Sequence, residues 1–103
     1  MGISLSAADR LFGQHLAGAS RGNPQSYFEL GIAYSTGSQG APVDLIEAHK
    51  WFNLAALGGL CEGSALRAEI AAEMAREEIA EAQRQARAWI AGMSGKAAVR
   101  AAA

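Results

Sequence analysis

Helix-starting and helix-stopping chemistry recurs along this chain at intervals of roughly three to four helical turns, and no run of alternating apolar and polar residues competes with it. Ser6 followed by Asp9 offers a side-chain oxygen to the free amides of a first turn and a negative charge to the positive helix end, and this piece should stop near Arg21-Gly22. Asn23-Pro24 is a cap followed by proline at the first helical position, where its missing N–H costs nothing. Asp44 stands three residues before Glu47, so the glutamate is expected to reach back to the cap amide, with Val43 packing on Ala48 outside it. Gly37 and the pair Gly58-Gly59 are suited to closing the second and third helices. Beyond Gly63 the apolar stripe resumes as Leu66, Ile70 and Met74. It continues as Ile79, Ala82, Ala86 and Trp89, with a break near Met74-Ala75-Arg76. The pattern predicts an all-α chain of about five helices. Residues 93–103 offer no apolar face to bury, so a disordered tail is expected there and a single folded domain over residues 1–92.

Roughly a quarter of the 103 residues are alanine, which favours helix and buries little area. Small side chains let helix axes approach, so the few large anchors carry more weight. A formal net charge of −1 supplies no positive field for phosphate backbones, which argues against nucleic acid as a partner. The single cysteine, Cys61, excludes an internal disulfide and a thiolate-rich zinc site, and a reducing, cytoplasmic setting is expected. No apolar run is long enough to insert in a membrane. Met1-Gly2-Ile3-Ser4-Leu5-Ser6 fits the myristoylation pattern loosely, and a plain start is expected.

The stretch Ser26-Tyr27-Phe28-Glu29-Leu30-Gly31-Ile32-Ala33-Tyr34-Ser35-Thr36-Gly37, continued through Asp44, Ala48, Trp51, Ala55 and Ala56 to Gly59, resembles a Sel1-like repeat. It carries the Leu-Gly pair, the tyrosine three residues on, the loop glycine, the aspartate cap and the Ala-x-x-Trp-x-x-x-Ala-Ala spacing. It departs from the family at Ser26 and Gly63, where alanine is usual, at Ala41, where the loop usually has valine, and in the length of the loop at Ser38-Gln39. The full unit covers residues 22–59, with divergent flanking helices at 6–21 and 62–91. The resemblance implies an α/α helix-hairpin repeat, a tetratricopeptide-like α-solenoid in which stacked hairpins share a continuous core. Gly31 would then allow a close crossing with Ala48 or Ala55, Tyr34 and Trp51 would plug the hairpin, and Trp89 would join the core.

By the same resemblance the chain is expected to be a protein–protein interaction module, an adaptor, scaffold or regulator that holds a peptide or protein partner on its helical surface. Tyr27, Glu29 and Ile32 are expected on the partner face, with His49, Lys50 and Asn53 forming a second, exposed patch. One alternative is a small permanent subunit or assembly factor of a larger bacterial complex. A remoter one is a hydrolase dependent on Cys61, for which His15 and His49 are the available bases, neither at a motif spacing. Asp44 or Glu47 with the histidines lacks metal-ligand spacing, and Gly92-Met93-Ser94-Gly95-Lys96 lacks the spacing and preceding strand of a phosphate loop. No enzyme activity, cofactor or metal is expected.

Overall fold

The computed structural model describes the backbone of residues 6–102 and the side chains of residues 6–93. Among the described residues the chain forms five helices and no strand: α1 (Ala7–Ser20), α2 (Pro24–Thr36), α3 (Leu45–Leu57), α4 (Cys61–Ala71) and α5 (Arg76–Ala102). The start of the myristoylation pattern lies outside the described residues. Three starts follow the caps in the sequence. Ser6 Oγ accepts the Asp9 amide at 3.1 Å while the Asp9 carboxylate accepts the Ser6 amide at 3.3 Å. Asn23 Oδ1 accepts the Gln25 amide at 2.9 Å ahead of Pro24, and Asp44 Oδ1 accepts the Glu47 amide at 3.1 Å. At the far end of α2, Gly37 adopts a φ of 73°, the left-handed conformation that closes a helix at little cost only for glycine.

Two local expectations are corrected. The Glu47 carboxylate does not reach back to the Asp44 amide, which instead donates to the Tyr34 carbonyl at 2.9 Å and ties the entry of α3 to the end of α2. Val43 does not pack under cover outside this cap, because it is 63% exposed. The fourth helix also begins earlier than the apolar stripe suggested. Cys61 opens it, and Gly63 lies inside it, buried, where a Cβ would stand 2.7 Å from the Phe52 carbonyl oxygen and 3.0 Å from the Ala56 nitrogen. Backbone approaches backbone at this crossing, so the glycine is a contact residue within the helix.

The break around Met74 is present, and the Ala75 amide donates to Glu78 Oε1 at 2.8 Å as α5 begins. Helix α5 then continues across Gly92 through Ala102, into the stretch expected to be a disordered tail. A helix already nucleated extends through alanine at little further cost, because each added residue fixes one pair of dihedrals and makes one hydrogen bond.

Helix α3 is the hub. It packs against α2, α4 and α5, whereas α1 packs mainly on α2. Its two sides belong to two clusters. Trp51, Leu54 and Ala55 meet Ala19, Tyr27, Leu30 and Ala86, with Phe12, Leu60 and Trp89 at the margin. Ala48 and Phe52 meet Ile70, with Ile32, Leu66 and Met74 packed around them. Trp89 accordingly lies against the core, half-buried. Gly31 serves close packing as expected but with a different neighbour: a Cβ there would stand 2.5 Å from the Phe52 ring, so glycine makes room for an aromatic face rather than for Ala48 or Ala55.

Candidate functional site

The residues singled out as a partner face are mostly engaged in holding helices together. Tyr27, from α2, is 7% exposed and stacks on Trp51 with centroids 5.8 Å apart and planes 25° apart. Trp51 and Trp89 meet edge to face at 5.0 Å, and Trp89 Nε1 donates to the Tyr27 hydroxyl at 3.0 Å. Tyr27 thus joins α2, α3 and α5 through one ring and one oxygen. Glu29 stands nearer the surface, where it accepts from Gln25 Nε2 at 2.9 Å. Ile32 is half-buried against the Phe52–Ile70 cluster.

His49, Lys50 and Asn53 do not form an exposed patch. His49 is 3% exposed, and Lys50 and Asn53 are half-buried. The physical reason is the position of α3, which is covered by α4 on one side and α5 on the other, so little of its circumference faces water. Lys50 Nζ lies 2.8 Å from Glu47 Oε2, donates to Gln85 Oε1 at 3.2 Å and sits 4.7 Å above the Trp51 ring. Glu47 Oε2 also accepts from Trp51 Nε1 at 2.9 Å. Asn53 Oδ1 accepts from Arg67 Nη1 of α4, and Arg67 Nη2 makes a long contact of 3.4 Å with Ser64 Oγ.

Burial shapes the acid–base character of these groups. The Tyr34 hydroxyl is held above its ordinary value by burial first and then by the charges of Glu47 and Asp44. The His49 imidazole is held below its ordinary value by burial and by the positive charge of Arg67. On the exposed side of α5, hydrogen bonds from Arg84 and then Gln85 draw the Glu81 carboxyl down to about 2.

Neither the network of Glu47, Lys50, Trp51 and Gln85 nor the separate bond of Arg67 to Asn53 was foreseen from sequence. The spacing of Glu47 to Lys50 and Trp51, three and four residues on, carries part of that signal, because such residues neighbour each other on a helix. Gln85 and Arg67 join from other helices and have no local signature.

Cys61 is an exposed free thiol at the first residue of α4, and among the described residues no hydrogen bond joins it to His15 or His49. Among the described residues no group of three or more histidine, cysteine, aspartate or glutamate side chains converges as a metal site. No described helix is long and apolar enough to cross a membrane. A small open cleft on α5 is lined by Ala88, Trp89, Gly92 and Met93. Elsewhere, Leu11, Leu16, Val43, Leu57 and Ile90 are large apolar side chains that stand in solvent, Val43 and Leu57 nearly two-thirds exposed. No family model, curated protein or solved structure matches the chain.

Proposed function

We propose that this chain is a helix-hairpin repeat module of the Sel1-like kind that binds a protein or peptide partner and performs no catalysis. The observation that carries the reading is the set of large apolar side chains left exposed around a well-bonded, apolar-cored group of helices. Glu47, Lys50, Trp51, Gln85, Tyr27 and Trp89 are bonded to one another across α2, α3 and α5, while Leu57, Val43 and three further large apolar residues stay in water. An exposed aliphatic side chain gains free energy when a partner covers it. The order of helices supports the repeat, since α2 and α3 form a hairpin and α3 packs on both members of the following pair. In this reading an extended or helical segment rests on the surface that Val43, Leu57 and Glu29 expose, and the setting is the bacterial cytoplasm.

The test is capture of a partner by the tagged chain from its native host, repeated with Leu57→Glu, Val43→Glu and Glu29→Arg. At least a tenfold loss of capture in one of these variants, with unchanged helicity by circular dichroism, is the expected result. Equal capture by all three would remove this surface from consideration. A second reading, a permanent subunit of a larger assembly, is favoured by the exposed alanines of α4 and α5, such as Ala65, Ala68, Ala80 and Ala88, which suit tight fixed packing. A subunit stays with its partners at fixed stoichiometry through high salt and gel filtration, whereas an adaptor separates as a monomer. Cys61→Ser is expected to leave partner capture unchanged.

A further inference from the structure

Helix α5 is 27 residues long, whereas α3, the helix it mainly packs on, has 13. Ala82 and Ala86 are buried along it with Trp89 half-buried beside them, while Glu78, Arg84, Ala88 and Gly92 stay exposed. Its charges are sorted by position. Arg76 is followed by Glu77, Glu78 and Glu81, and every later charge, at Arg84, Arg87, Lys96 and Arg100, is basic. The helix macrodipole favours such an order only within the first and last turns, and Glu81, Arg84, Arg87 and Lys96 lie beyond them.

Helical spacing places Glu78, Glu81, Ala88, Gly92 and Lys96 along one side of α5. The open apolar cleft of Ala88, Trp89, Gly92 and Met93 lies on that side too. In sequence Trp89 is midway between Glu78 and Arg100, and the Ala88–Trp89 bond is midway between Glu81 and Lys96. An acidic arm and a basic arm thus extend equally from an apolar centre. Small residues at that centre let a second helix come close, and a Cβ at Gly92 would meet nothing within 4 Å.

We propose that two copies of this chain pair antiparallel through α5, about a twofold axis at this cleft, with the acidic arm of each against the basic arm of the other. A twofold contact requires a surface that complements itself, and this charge order does so in the antiparallel sense alone. Parallel pairing would set acid against acid and base against base. The inference does not depend on the partner-binding reading, which uses Val43, Leu57 and Glu29 and no residue of α5. Exposed ion pairs orient two surfaces more than they hold them, so the dimer is weak, filling at high protein concentration and separating on dilution over a gel-filtration column.

Sedimentation equilibrium of the full chain, from about 10 µM to about 1 mM, tests this. The expected result is a monomer–dimer equilibrium, weakened at least tenfold by about 1 M salt, which screens charges beyond about 3 Å. Glu78→Lys with Glu81→Lys, and separately Lys96→Glu with Arg100→Glu, should each weaken it at least tenfold. A mixture of these two double variants should form a one-to-one heterodimer, since each arm again meets its opposite. Circular dichroism checks that each variant keeps its helicity. If the first double variant folds poorly, Ala88→Glu replaces it, placing a charge at the exposed centre and again costing at least tenfold. A wild-type chain that stays monomeric throughout would overturn the proposal. So would a dimer that both double variants leave intact, or a mixture that associates no better than its components.

Discussion

A methyl group added at Gly31 and one added at Gly13 meet opposite surroundings. At Gly13, on the exposed side of α1, nothing lies within 4 Å, so Gly13→Ala should stabilise the fold by up to about 1 kcal/mol through helix propensity alone. At Gly31 the Phe52 ring occupies the space, and Gly31→Ala should destabilise by about 1–3 kcal/mol despite the same propensity gain. Chemical denaturation of both variants checks the pair, and the same sign at both positions would contradict this packing. Trp51→Ala, which empties the centre of the Tyr27–Trp51–Trp89 stack, should cost about 3–5 kcal/mol in the same measurement. A loss under about 1 kcal/mol would show that the stack is not core. Residue types were legible in the sequence more fully than residue neighbours. That Trp51 and Trp89 are core follows from helix spacing, and that Gly31 marks a close approach was implied by the repeat resemblance. That Phe52 fills the space at Gly31, and that Tyr27 is buried under Trp51, depends on how three helices meet, which no single-helix period encodes.

Helices announce themselves where a side chain does the capping and stay silent where tertiary contact does it. Ser6, Asn23 and Asp44 mark their starts because each oxygen accepts a first-turn amide. Asp44→Ala should accordingly cost about 1 kcal/mol, read as a shift in denaturation midpoint with unchanged slope. Leu60 at the head of α4 makes no capping bond and packs on the Trp51 cluster instead, so the start of α4 has no local cap signature, and its expected position near residue 62 came from the repeat resemblance. The entry to α3 shows the converse error. Glu47 has the spacing of a reciprocal cap, but a buried indole N–H and a lysine compete for its carboxylate and win. An unsatisfied buried donor costs more than an exposed cap amide, which can find a carbonyl nearby. The extension of α5 past Gly92 is a propensity effect that outweighs one interior glycine.

In the molecule as a whole, stability is graded outward from α3. The middle of α3 should exchange its amides with the slowest rates, close to those of global unfolding, and α1, which packs mainly on α2, should exchange sooner. Equal protection in the two helices would contradict the hub arrangement. The all-helical class and number of helices were legible because caps and breakers are local. Which residues lie exposed was less legible, because exposed positions obey no packing period, and Tyr27, His49, Lys50 and Asn53, suggested for a partner face, lie largely between helices. One further consequence follows from the placement of the indoles. Both tryptophans of the chain sit on the same α3–α5 seam, 5.0 Å apart, with Lys50 over one of them. Ultraviolet emission is therefore a built-in gauge of that seam, and it should remain steady through any event confined to the opposite flank of the hub.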